Sequence, residues 1–153
     1  MKRLFVLAGL VVFGSGLALA QGQGQAISRS PDDIISERQA LMDLQGGIVA
    51  AMKAAVDNGW DVKPFTDGAK ALVSSSANIP ILFPPGTEHG HNTKAKPDVW
   101  SDSAGFQKAG NDLHAAAEKL VPLAEANDKA GFKTQFAAIG QACGGCHRPY
   151  RER

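Results

Sequence analysis

The sequence predicts an all-α fold, an antiparallel four-helix bundle with one long connection. Three observations carry this. Apolar residues recur at helical spacing in four separate stretches. No stretch alternates apolar and polar residues as a half-buried strand does. Capping and breaking residues bracket the periodic stretches, and no internal repeat is present, which leaves a single bundle as the economical architecture.

The chain opens with Lys2 and Arg3, a short apolar run over residues 4–12, and the small-residue pattern Ala18-Leu19-Ala20. This pattern is that of a secretory signal peptide over residues 1–20, cleaved after Ala20. The run is too short and too interrupted by glycine to make a comfortable membrane span. Residues 21–29 are Gly- and Gln-rich and read as a flexible leader. Cleavage removes Lys2 and Arg3 and no acid, leaving 14 basic and 15 acidic residues. A net charge near −1 gives no reason to expect nucleic acid or an anionic membrane as partner. No later segment is long enough to span a bilayer, so residues 30–153 are expected to form one soluble, exported domain, placed in the periplasm.

The first helix starts at Ser30-Pro31-Asp32-Asp33: an N-cap serine, proline at the first position, and acids in the first turn. Ile34, Leu41 and Ile48 recur at sevenfold spacing, beside Ile35, Met42, Val49 and Val56. The helix is expected to reach Asn58, where Gly59 stops it. Gly46 and Gly47 fall mid-helix and each weakens it by about 1 kcal/mol, so something flat or close is expected to pack there. A second helix fits residues 62–75, with Phe65, Ala69, Leu72 and Val73 on one side and Pro64 in its first turn. Residues 79–101 form a long Pro/Gly connection whose Ile81, Leu82, Phe83 and Trp100 are expected to cover an opening of the bundle. Ser101 or Asp102 caps the third helix, with Phe106, Ala109, Leu113, Ala116, Ala117 and Leu120 as its stripe; Pro122 is expected to kink or end it. Asp128 caps the fourth, whose Phe132, Phe136, Ile139 and Cys143 face inward.

That stripe runs into Cys143-Gly144-Gly145-Cys146-His147, a C-x-x-C-H, the haem-attachment signature of c-type cytochromes. On a helix, positions i and i+3 share a face, so both sulfurs can reach the vinyl groups on one porphyrin edge. His147 can then turn its imidazole under the iron as an axial ligand. Competing chemistries fit less well. A redox C-x-x-C opens a helix rather than closing one, a structural zinc site needs a second ligand pair that the sequence lacks, and a disulfide across two residues would be strained.

A four-helix chain ending in C-x-x-C-H-x-x-Y/F-R resembles the class II c-type cytochromes, the cytochrome c prime family. Supporting stretches are Arg38-Gln39-Ala40-Leu41-Met42, Leu82-Phe83-Pro84-Pro85-Gly86-Thr87, Pro97-Asp98-Val99-Trp100 and Tyr150-Arg151. The resemblance implies one covalent haem c on Cys143 and Cys146, with His147 as the proximal ligand. It places Arg38 and Gln39 beside the haem propionates, Arg151 near the proximal histidine, and Met42 over the distal face of the iron. Family members with an unbonded distal residue bind nitric oxide or carbon monoxide; low-spin relatives ligate the iron through methionine and carry electrons. Both groups use methionine here, so the sixth position stays open.

Met52 lies about 15 Å further along the helix, too far to replace Met42. His89 and His91 sit in the polar connection and are expected to be solvated; His114 can point either way. Tyr150 is expected to pack its ring against the bundle end. Arg148, Arg151 and Arg153 complement the helix dipole and could guide an acidic redox partner. No paired acids or activated nucleophile is readable, so an enzyme is not expected. The expected partners are redox proteins, with nitric oxide or carbon monoxide as the alternative. An apolar column of Ile35, Val49 and Val56 would suit a homodimer or the core.

Overall fold

A computed structural model describes residues 29–153. The expected signal peptide over residues 1–20 and nearly all of the expected leader over residues 21–29 lie outside the described residues. The helices are α1 (Pro31–Asn58), α2 (Thr66–Ala77), a single turn α3 (Asp98–Ser101), α4 (Ser103–Glu125) and α5 (Lys129–Tyr150). The four long helices form the expected bundle. Among the described residues there is no strand, only an isolated antiparallel bridge between Ala95 and Arg151.

Each helix start follows from its sequence. Ser30 Oγ accepts the Asp33 N–H at 3.1 Å, and the Asp33 carboxylate accepts the Ser30 N–H at 3.0 Å, so two orphan donors of α1 are satisfied reciprocally. Gly59 ends α1 with φ +66°, a left-handed conformation glycine adopts without strain. Asp102 caps α4 by accepting the Gly105 N–H, and Asp128 caps α5 by accepting the Gly131 N–H. The second helix begins as one 3-10 turn, Lys63–Phe65, because Pro64 suits a first turn but offers no N–H; the α-helix proper starts at Thr66.

Pro122 does not end α4, which continues to Glu125. The proline removes an N–H that would have bonded the Glu118 carbonyl, and both residues face solvent. Water replaces the lost bond on that face, so the helix continues.

The core is built by α2, α4 and α5, with Leu72, Leu113, Leu120, Phe132 and Ile139 buried at its centre. Each such side chain contributes roughly 1.5–3 kcal/mol on burial. α1 joins through Met52 and Ala55, both fully buried. Gly68 of α2 lets α1 approach: a Cβ there would lie 3.2 Å from Met52 Cε and 3.4 Å from Ile48 Cγ2. Ile35 is fully buried and Val49 and Val56 are half-buried, so that column belongs to the interior; the exposed large apolar residue of α1 is Leu44. Ile81, expected to cover the bundle, is 63% exposed, whereas its neighbour Leu82 is buried. The 3-10 turn Pro80–Leu82 rotates successive side chains to different sides, so only one of the two can face inward.

Candidate cofactor site

The last two turns of α5 carry the C-x-x-C-H motif, and the final turn lacks one of its own backbone bonds. Pro149 lies inside the final turn and cannot donate to the Gly145 carbonyl. The Arg151 N–H still donates to the His147 carbonyl at 3.1 Å, and other segments brace the turn. Lys96 N–H donates to the Tyr150 carbonyl at 3.0 Å, and Glu152 N–H donates to the Lys94 carbonyl at 2.8 Å. Lys96 Nζ donates to the Arg148 carbonyl at 3.1 Å. Tyr150 OH donates to Asp102 Oδ2 at 2.7 Å, joining this end to the start of α4. The Tyr150 ring is buried, as expected, and meets Phe106 edge-on at 5.3 Å.

Between α1, α4 and α5 lies a cavity of about 680 Å³, within the range of cofactor sites. Cys143, Cys146 and His147 line it from α5; Arg38, Gln39, Met42, Gly46 and Val49 line it from α1. Leu113, Phe106 and Gly110 close it from α4, and Thr93, Lys94 and Ala95 from the connection; Tyr150 and Arg151 complete that end. The residues singled out by sequence and by resemblance therefore converge on one space. Met52 is packed in the core and does not line it. His89 and His91 are exposed. His114 turns toward α2, with Nδ1 3.1 Å from Ser76 Oγ and from the Val73 carbonyl oxygen.

Arg38 has a further role in the structure. It is only 3% exposed. Its terminal nitrogens donate to Thr87 Oγ1 (2.9 Å), the Thr87 carbonyl (2.7 Å), Thr93 Oγ1 (2.6 Å) and, at 3.5 Å, the Leu82 carbonyl. The guanidinium also stacks 4.6 Å from the Phe83 ring centroid. Gln39 Nε2 donates to the His91 carbonyl at 2.9 Å. Both residues thus fasten the long connection to α1. Sequence reasoning missed the acceptors, Thr87 and Thr93, because nothing local marks them.

The residues present fit a covalent haem. Both cysteines are free thiols on one helix face. Burial pushes Cys146 up to about 11 and Cys143 also upward, the reverse of the lowered thiol of a redox C-x-x-C. His147 is exposed by surface area, yet partial desolvation of its ring, and secondarily the Arg151 charge, pushes it below the usual histidine value, favouring the neutral imidazole that ligates metals. A Cβ at Gly46 would meet no protein atom within 4 Å although the residue lines the cavity, so a flat group can lie against that stretch of backbone. Gly47 is exposed and meets nothing either, so no neighbour explains it. Among the described residues no cluster of His, Cys, Asp and Glu forms a separate metal site, and no helix is long and apolar enough to cross a membrane.

A thioether-type cysteine pair and an adjacent histidine, aimed from the last helix into a helical bundle's cavity, define a bundle-type haem c protein. The cytochrome c' family model matches residues 33–151, and the chain belongs to that family, whose members bind haem c covalently. It is 40% identical over 129 residues to cytochrome c' of Rubrivivax gelatinosus, covering 82% of this chain and 98% of the relative. The solved structure of a Rubrivivax gelatinosus cytochrome c' superposes with a TM-score of 0.76 at 33% identity, covering 81% of this chain and 98% of that one. A nitric oxide complex of a cytochrome c prime mutant from Alcaligenes xylosoxidans matches with a TM-score of 0.75 at 28% identity, covering 82% and 98%.

Proposed function

We propose that this protein is an exported, periplasmic one-electron carrier rather than an enzyme. Bound haem c supplies the reversible Fe(III)/Fe(II) couple. Cys143 and Cys146 would hold it covalently, and His147 would ligate the iron from α5. Gln39 and Arg151, at the polar end of the cavity, would meet its carboxylates, with Arg38 close behind them. The observation that carries the reading is the place of Met42. It is half-buried on α1, on the same cavity that His147 and both cysteines line from α5. A thioether on that wall would be available to ligate the haem iron from the side facing His147's helix, which would suit simple electron transfer.

A second reading is a gas-binding module. The mainly apolar lining of the cavity and the nitric oxide complex of the Alcaligenes xylosoxidans relative favour it. In that case Met42 only crowds the distal side and selects ligands by access.

An absorption spectrum of the holoprotein separates the two. Electron transfer through a Met42-ligated iron requires a sharp low-spin spectrum indifferent to carbon monoxide, converted to high spin by Met42→Ala. A high-spin spectrum that shifts on adding carbon monoxide would replace the first reading by the second.

A further inference from the structure

The pairing of residues 94–96 with 150–152 has an electrostatic consequence. It brings Lys94 and Lys96, from the connection, beside Arg148, Arg151 and Arg153, from the end of the chain. Five of the 14 basic residues after Arg3 therefore share one end of the bundle, in a domain whose acids outnumber its bases. None of the five makes an ion pair with a carboxylate among the described residues. Elsewhere Arg29, Lys53, Lys70, Lys108 and Lys129 are paired, while Arg38, Lys63, Lys119 and Lys133 make no ion pair among the described residues. The acids nearest this end are Asp43 on the cavity wall, Asp98, Glu152, and Asp102, which is engaged by Tyr150. Lys94 and Arg151 line the cavity and would meet a bound haem's carboxylates; Lys96, Arg148 and Arg153 do not line it. Five of the nine basic side chains without an ion pair thus lie around the cavity that would hold the redox centre, interspersed with those four acids.

We infer that this basic end is the docking surface for the acidic face of a redox partner protein. The inference rests on the electron-carrier reading and adds the chemistry of the partner. Charge complementarity favours a protein over a membrane: the interspersed acids keep the attractive field short-ranged and patterned, which suits a matching surface better than a uniform sheet of charge.

The test is oxidation of the reduced holoprotein by hexacyanoferrate(III), an anion, and by tris(phenanthroline)cobalt(III), a cation, over a range of ionic strength. One electron leaves the protein and reduces the oxidant by one unit. Attraction at this end requires the anion's rate to fall by about tenfold between ~0.01 and ~0.3 M ionic strength, while the cation's rate holds or rises. The double variant R148E/R153E, outside the cavity wall, should flatten the anion's salt dependence with an unchanged spectrum. K133E, near the other end of α5, should leave it intact. A salt-independent anion rate, or an equal response to K133E, would overturn the inference while leaving electron transfer standing. No reaction with either oxidant would remove the electron-carrier reading itself, and the inference with it. Sedimentation of the holoprotein with phosphatidylglycerol vesicles at physiological salt would assign the surface to a membrane and overturn the choice of partner.

Discussion

Arg38 is a positive charge almost out of contact with water, and its four partners are oxygens of the connection rather than a carboxylate. Burial pulls its guanidinium below the ordinary arginine value, yet an arginine so placed stays charged. Removing it leaves the Thr87 carbonyl and the Thr87 hydroxyl without donors, while Thr93 Oγ1 keeps only the Ala95 N–H. Arg38→Ala should therefore lower stability by about 2–4 kcal/mol, read as the shift of the denaturation midpoint. Arg38→Lys should recover only part, since an ammonium cannot reproduce the planar fork. A loss below about 1 kcal/mol would mean that water reaches those acceptors. Tyr150 yields a pH prediction. Its bond to Asp102 is the first cause, followed by burial and then nearby carboxylate charge, Asp102 before Asp98; the phenol is pushed up to about 12. The unfolded chain loses that proton near pH 10, so above pH 10 the folded state binds more protons than the unfolded one. Stability should be unaffected by this group below pH 10 and should fall as pH rises from 10 toward 12. Tyr150→Phe should lose that alkaline slope; an identical slope in the variant would assign it to other groups.

At the scale of elements, α1 and α5 each carry a local weakness beside the cavity, and the two have different explanations. In α1 the weakness is the pair Gly46 and Gly47. Each costs about 1 kcal/mol of helix propensity relative to alanine, and neither has a protein neighbour where a Cβ would sit. Only Gly46 lines the cavity. Gly47→Ala should therefore raise stability by about 1 kcal/mol and leave the haem spectrum unchanged. Gly46→Val should disturb the spectrum, because its side chain would occupy the space against which the cofactor lies. If both substitutions left the spectrum untouched, Gly46 would have no part in haem packing. In α5 the weakness is Pro149, one turn after Gly145, and the loss is offset by backbone bonds from residues 94–96 and by Asp102. Pro122 in α4 needs no such support, because its freed carbonyl faces water.

For the whole molecule, the four long helices were legible because helical period, caps and breakers are local signals. The C-x-x-C-H motif was legible for the same reason. That Met42 and His147 face one space was available only through resemblance, since they are brought together by packing across most of the chain. The role of Arg38 in fastening the connection was not legible. Its partners Thr87 and Thr93 lie 49 and 55 residues away in a segment with no periodicity to fix their direction. The fate of Pro122 was also hidden, because whether a freed carbonyl meets water depends on which face of the finished bundle it occupies. These hidden features share one element, the connection. Through Arg38 and Gln39 it is tied to α1, and through residues 94–96 to the end of α5, so it spans the cavity between the helix that carries Met42 and the helix that carries His147. α1 and α5 also pack directly on each other, so the connection is a second tie that holds the two sides of the site at a fixed separation. Replacing residues 85–93 by a Gly/Ser linker of equal length should leave helical circular dichroism and covalent attachment intact. It should increase amide hydrogen exchange in α1 and broaden the haem spectrum into a mixture of spin states. If α1 exchange and the spectrum both stayed as in the parent protein, the α1–α2 contact at Gly68 and Met52 would suffice to set the geometry of the site, and the connection would be only a tether.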